Sequence, residues 1–290
     1  MTDLERFRAN PLQHGLAYLL EAQDHVAAGR SGEALDALDR ALAEGCRYKR
    51  EWLEREERLS ALRGIPRFAD IVARADARYA EDAAAARPHL TFAIPDELPD
   101  AFGYPLLIAL HGNNSNAQET APHWASMADR GWVVAVPQSS EIGVTPGAYT
   151  WNDRERAAAE VSTHLERVKR ATQIDVGRIV LAGFSMGGLQ AIALPLTKKL
   201  RVRGVVPVAA WLPDITEFTA LVGSGAGKML RAYVVVGEKD PSCAGARELV
   251  DLFKRHQLRA ELDVRAGLGH EYPADMSETV GRALAFVTAP

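Results

Sequence analysis

From His89 onward the chain switches repeatedly between short apolar runs and longer amphipathic stretches. The runs are HLTFAIP (89–95), YPLLIALHG (104–112), GWVVAVPQ (131–138), RIVLAGFS (178–185), RGVVPVAAW (203–211), RAYVVVGEKD (231–240) and AELDVRAGLGH (260–270). They are rich in β-branched residues and mostly continuous in apolar character, as strands covered on both faces must be. Helical spacing fills the intervals at 117–130, 153–171, 187–200, 244–257 and 274–288. This alternation predicts an α/β fold, a mostly parallel sheet with helices on both faces. Ligands of such sheets sit beyond the carboxyl ends of the strands. The residues that directly follow each run are therefore where chemistry is expected.

The totals remove several classes of function. A chain of 290 residues accommodates one large domain and a smaller one. With 47% hydrophobic residues and a net charge of −4, it has neither the basic balance of a nucleic-acid binder nor a basic run for a membrane surface. MTDLERFRANPLQ at the start lacks the apolar centre of a secretion signal, and no apolar stretch is long enough to span a bilayer. Cys46 and Cys243 form neither a metal spacing nor a disulfide framework. A reducing cytoplasm is the expected location, and no metal or cofactor is expected.

Residues 12–87 have a different period. Leu16, Leu19, Leu20 and Val26, then Ala34, Leu35, Leu38 and Leu42, follow helical spacing on either side of the turn Ala28-Gly29-Arg30-Ser31-Gly32. REWLEREERLSALRG and RFADIVARADARYAEDAAAA, separated by Gly64-Ile65-Pro66, predict a second pair. The expected division is a small all-α region over 1–87 and an α/β catalytic domain over 88–290. AAGRSGEALDALDRAL resembles the second half of a tetratricopeptide repeat, without that repeat's full Trp-Leu-Gly-Tyr pattern. Two roles stay open for this region: a cap over the main domain, or a docking module for a second copy or a protein partner.

The run that ends in Gly183-Phe184-Ser185-Met186-Gly187-Gly188 turns at once into a helical pattern. Gly-x-Ser-x-Gly between strand and helix lifts a serine hydroxyl above a sheet edge as a nucleophile. Such a hydroxyl needs a base, and the base needs a carboxylate to orient it. Asp240 and His270 each follow a later apolar run, in the order Ser, Asp, His that suits this kind of sheet. Alternatives exist for both. Asp240 before Pro241 can serve as a turn and helix cap, Glu238 is a rival acid, and His270 can be a loop residue without duty. His14, His25, His164 and His256 fall on predicted helices and His89 opens a strand, whereas His123, at a loop-to-helix junction, is a minor site candidate. The oxyanion of a tetrahedral intermediate requires N–H donors. Met186, directly after the serine, supplies one, and Asn113 in the loop His111-Gly112-Asn113-Asn114 supplies the other. Asn113, Asn114 and Asn116 side chains are either substrate contacts or ordinary loop composition. Trp151, Trp211 and Tyr272 are candidates for the pocket wall or for core and rim packing.

LHG (110–112), GFSMGG (183–188), AAWLPD (209–214), GEKDPS (237–242) and GLGHEYP (267–273), in this order, resemble the alpha/beta-hydrolases of the phospholipase/carboxylesterase family. The family's GFSQGG is similar to residues 183–188, its SGWLP to Ala210-Trp211-Leu212-Pro213, and its aromatic-acidic segment to Trp151-Asn152-Asp153. The likeness covers roughly residues 88–288. It implies an alpha/beta-hydrolase fold, a catalytic set of Ser185, Asp240 and His270, backbone donors at Asn113 and Met186, and substrate contacts at His111, Gly112, Asn114, Trp151, Trp211 and Tyr272. Met186 replaces the family's frequent Gln, HGNNSN replaces its glycine-acid loop, and the helical region is an addition. VGSGAGKML (222–230) has the wrong spacing for a phosphate loop and carries Met229 where a metal-facing hydroxyl is needed; a flexible loop is expected there. The reading is a serine esterase acting on small carboxylic esters or thioesters through an acyl-enzyme. A peptidase or polyester hydrolase on the same fold, or a partner-binding protein, are the alternatives.

Overall fold

A computed structural model describes residues 2–289. The chain forms two compact units: residues 1–87 with 140–150, and residues 88–139 with 151–290. The first contains helices α1 (Asp3–Ala9), α2 (His14–Ala27), α3 (Ser31–Ala43), α4 (Arg50–Arg55) and α5 (Pro66–Ala85). The second contains strands β1 (His89–Ala93), β2 (Tyr104–Leu110), β3 (Val133–Gln138), β4 (Ile174–Phe184), β5 (Gly204–Val208), β6 (Arg231–Gly237) and β7 (Arg259–Arg265). Its helices are α6 (Ala117–Thr120), α7 (Arg154–Ala171), α8 (Met186–Leu196), α9 (Thr216–Gly223), α10 (Cys243–Arg255) and α11 (Met276–Thr288). No helix among the described residues is long and apolar enough to cross a membrane.

The strands make one seven-stranded sheet in the order β1-β3-β2-β4-β5-β6-β7, parallel except for the antiparallel β1–β3 pair. Alternation along β2 accounts for its covering on both sides. Leu106, Ile108 and Leu110 join one apolar cluster with residues of α7, α8, α9 and α10, while Leu107 and Ala109 join the other with Trp124, Met127 and α11. A strand buried on both faces has no polar side, which is why the apolar runs read as continuous. Helix α9 is an element that the sequence pattern did not announce. It starts after an aspartate turn in which the Thr216 N–H donates to Asp214 Oδ1 at 3.0 Å, and it takes in the first two residues of the expected loop 222–230.

In the helical unit, Ala22, Ala34, Ala37 and Ala41 are fully buried, and side chains this small allow α2 and α3 to approach closely. REWLEREERLSALRG, expected as one helix, is α4 followed by a 3-10 stretch, Glu57–Leu62. The break is at Glu56, whose backbone is extended and whose carboxylate accepts the Arg58 N–H at 3.0 Å. Residues 140–150, which the sequence leaves in the catalytic domain, cluster instead with these helices. They double back as a small hairpin, with Gly143 N–H donating to Ala148 O at 2.8 Å and Thr150 N–H to Glu141 O at 2.8 Å. Arg47, almost wholly buried, holds this hairpin. Its guanidinium donates to Gly143 O at 3.1 Å and Thr145 O at 3.3 Å, and pairs with Asp82 at 2.8 Å.

Candidate active site

Ser185 lies between β4 and α8 with φ 52° and ψ −118°, a backbone region that L side chains seldom occupy. Glycines make the bend possible. A Cβ on Gly183 would fall 2.5 Å from the Gly187 carbonyl, and one on Gly187 would fall 2.4 Å from His111 O. No side chain fits at either position. The bend is held by the Ser185 N–H donating to Val208 O at 3.0 Å, while Ser185 O accepts from Leu189 and Trp211 N–H groups, each at 3.0 Å.

Asp240 follows β6 and His270 follows β7. His270 Nε2 is 2.9 Å from Ser185 Oγ, and His270 Nδ1 is 2.8 Å from Asp240 Oδ2. An ionised carboxylate only accepts, so Nδ1 carries a proton and Nε2 presents its lone pair to the serine O–H. The Asp240 side chain is wholly buried, whereas the imidazole is about one-quarter exposed at 26%. The second carboxylate oxygen is also occupied, accepting the Ser242 N–H at 2.8 Å. Glu238, the rival acid, is exposed and instead accepts the Gly267 N–H at 2.8 Å, fixing the start of the histidine loop. That loop crosses Gly237, where a Cβ would lie 2.3 Å from Gly269 O.

The loop after β2 reaches the serine from the other side. A Cβ on Gly112 would meet the Phe184 ring at 3.0 Å and Ser185 Cβ at 3.5 Å, so the loop backbone passes beside the hydroxyl. Neither the Asn113 nor the Met186 N–H is engaged by another group among the described residues. Asn114 adopts φ 53°, a left-handed turn conformation that asparagine tolerates. The side chains of Asn113 and Asn116 are committed elsewhere. Asn113 Oδ1 accepts the Trp151 N–H at 3.0 Å and its Nδ2 donates to Asn152 Oδ1 at 2.7 Å; Asn116 caps α6 through the Glu119 N–H at 2.9 Å.

Two of the expected substrate contacts, His111 and Trp151, are placed in the core instead. His111 is fully buried: its Nε2 accepts the Ser139 N–H at 3.2 Å, so Nδ1 bears the proton and donates to Gly112 O at 2.8 Å. Burial pulls its pKa down to about 4, and the neutral ring braces the loop without facing a ligand. Trp151 is also fully buried, its ring 5.0 Å from that of His111, and belongs to the core and not to a pocket wall. Tyr272 is in an aromatic stack, 4.4 Å from Phe184 and 3.7 Å from His123 between ring centroids. It joins the residue before the serine to the loop that carries His270. Trp211, 43% exposed, lies at the rim, joined to Ser185 through its backbone.

A mostly parallel sheet carrying a bent serine, a histidine and a buried aspartate beyond the ends of its strands defines an alpha/beta-hydrolase. More narrowly, the chain belongs to the serine aminopeptidase S33 family (Hydrolase_4), whose profile matches residues 105–290. The phospholipase/carboxylesterase resemblance points to the same fold. Over 89 residues the chain is 36% identical to the bifunctional acetylxylan esterase/xylanase XynS20E of Neocallimastix patriciarum, a match spanning 29% of this chain and 12% of that protein. An uncharacterized Bacillus cereus protein of known structure is 25% identical with a TM-score of 0.58, covering 94% of this chain and 87% of that one. That coverage takes in most of the helical unit. Esterase PE8 shares the fold at 16% identity and TM-score 0.55, over 68% of this chain and 97% of its own.

Proposed function

We propose that this chain hydrolyses carboxylic esters, with Ser185 as nucleophile, His270 as base and Asp240 as its orienting acid. One observation carries the reading: an unbroken hydrogen-bonded line from the buried Asp240 carboxylate through both His270 nitrogens to Ser185 Oγ. His270 Nε2 takes the serine proton as Oγ bonds to the ester carbonyl carbon. The carbonyl oxygen becomes an oxyanion and accepts from the Asn113 and Met186 N–H groups. Collapse breaks the bond to the alcohol oxygen, which leaves with the proton held on Nε2. Water then gives a proton to His270, adds to the acyl carbon and releases the acid, and Oγ recovers its proton. Asp240 stays ionised throughout and stabilises the imidazolium. Thioesters follow the same steps with a thiol leaving group.

An acetyl ester is the first substrate to try, since one relative is named an acetylxylan esterase. p-Nitrophenyl acetate turnover should be lost in Ser185→Ala, and a fluorophosphonate should label Ser185; retained turnover in the variant refutes the nucleophile. The family's name favours a second reading, an aminopeptidase. Comparing matched aminoacyl p-nitroanilides with p-nitrophenyl esters separates the two: faster kcat/KM on the anilides replaces the ester reading.

A further inference from the structure

The two N–H groups assigned to the oxyanion are on separate segments, Asn113 on the loop after β2 and Met186 at the start of α8. Something must hold them at one spacing. Between them passes the backbone of Trp151, whose N–H faces one segment and whose C=O faces the other. Its N–H donates to Asn113 Oδ1 at 3.0 Å, and its carbonyl accepts from Gln190 Nε2 at 2.7 Å. Trp151 is fully buried and Gln190 almost so, at 2% exposure. A carbonyl only accepts and an N–H only donates, so these contacts fix which way both amides point. Asn113 Nδ2 then has one direction left and donates to Asn152 Oδ1 at 2.7 Å. Gln190 is one helical turn after Met186, on a helix whose other buried residues are glycine or apolar. A polar amide there requires a reason, and the Trp151 carbonyl supplies one.

We infer that the side chains of Asn113 and Gln190 are positioning residues that set the oxyanion hole by clamping its two halves to the backbone of Trp151. The inference rests on the proposed serine mechanism and adds to it a role for side chains that touch no reacting atom. Preorganised donors act through their fixed placement, and a misplacement of about 1 Å is worth on the order of 100-fold in rate.

The test uses the full chain with p-nitrophenyl acetate and a trifluoromethyl ketone, whose serine adduct carries an oxyanion. Asn113→Ala keeps its backbone N–H and loses only the clamp; Gln190→Met keeps the volume and loses the donor. Each is expected to lower kcat by about 10- to 100-fold with KM within about threefold, and to weaken the ketone by the same factor as kcat/KM. Should Gln190→Met not fold, Asn113→Ala, at a half-buried position, decides the question. Wild-type kcat in the variants, or a loss of kcat without the matching loss of ketone affinity, overturns the clamp. Ser185→Ala in the same assay keeps the outcomes apart: activity surviving there refutes the serine mechanism itself, not the clamp.

Discussion

The bend at Ser185 makes a prediction that needs no substrate. At φ 52° and ψ −118° a residue with a Cβ is strained, and strain of this kind is worth on the order of 1–3 kcal/mol. Ser185→Ala keeps the Cβ and the strain; Ser185→Gly removes both. The two variants lose the same hydrogen bond to His270, so their difference isolates the backbone. Glycine gives back about 0.4–1 kcal/mol through its greater freedom in the unfolded chain. The net expectation is that Ser185→Gly is more stable than Ser185→Ala by about 0.5–2 kcal/mol. At about 2–4 °C per kcal/mol for a unit of this size, that is roughly 1–8 °C in Tm. Differential scanning calorimetry on both variants measures it, and both should be inactive toward esters. A glycine variant that melts at or below the alanine variant would mean that the bend is not strained, and that serine is held there without conformational cost.

Three further outcomes follow from contacts around the same site. Gly237→Ala places a Cβ 2.3 Å from Gly269 O and 2.4 Å from Leu268 O, so the His270 loop must move. Its kcat should fall by about 100-fold for a destabilisation of only about 1–3 kcal/mol; unchanged kinetics would show that the loop tolerates displacement. Tyr272→Ala, which removes the ring between Phe184 and His123, should cost about 2–4 kcal/mol in urea denaturation and lower kcat, whereas Tyr272→Phe keeps the stack and most of the activity. Acid should weaken the fold through His111. Its folded pKa of about 4 lies below the usual value near 6.5, so the unfolded chain binds the proton first as pH falls. Stability is therefore full above pH 6.5, declines by up to about 3 kcal/mol towards pH 4, and His164, also pulled down to about 4 by burial, acts in the same direction. Urea midpoints that stay level from pH 6.5 to 4.5 would contradict this.

The convergence of Ser185, Asp240 and His270 was legible because each lies within five residues of the end of a strand, and a parallel sheet gathers such ends at one edge. The inner strands β2, β3, β5 and β6 were legible for the related reason that burial on both faces leaves few polar interruptions. The burial of His111 and Trp151 was not, since a histidine after a strand or a tryptophan before a helix has the same local sequence whether it faces solvent or core. Gln190 did leave a trace, a lone amide in GLQAIALPL, but its partner is the backbone carbonyl of Trp151, and backbone groups carry no residue-specific signal. The hairpin at 140–150 was hidden for another reason. GVTPGAYT has ordinary turn composition, and its partners, Gly15 and Arg47 among them, lie far back in the chain.

That hairpin makes the helical unit discontinuous along the polypeptide. During synthesis its helices emerge first, yet the Arg47 guanidinium, paired with Asp82, lacks two of its hydrogen-bond acceptors until the carbonyls of Gly143 and Thr145 leave the ribosome. Completion of the N-terminal unit thus waits on a stretch that comes after three strands of the sheet. A cut at residue 87 divides this unit, and a graft onto another protein would have to carry both pieces.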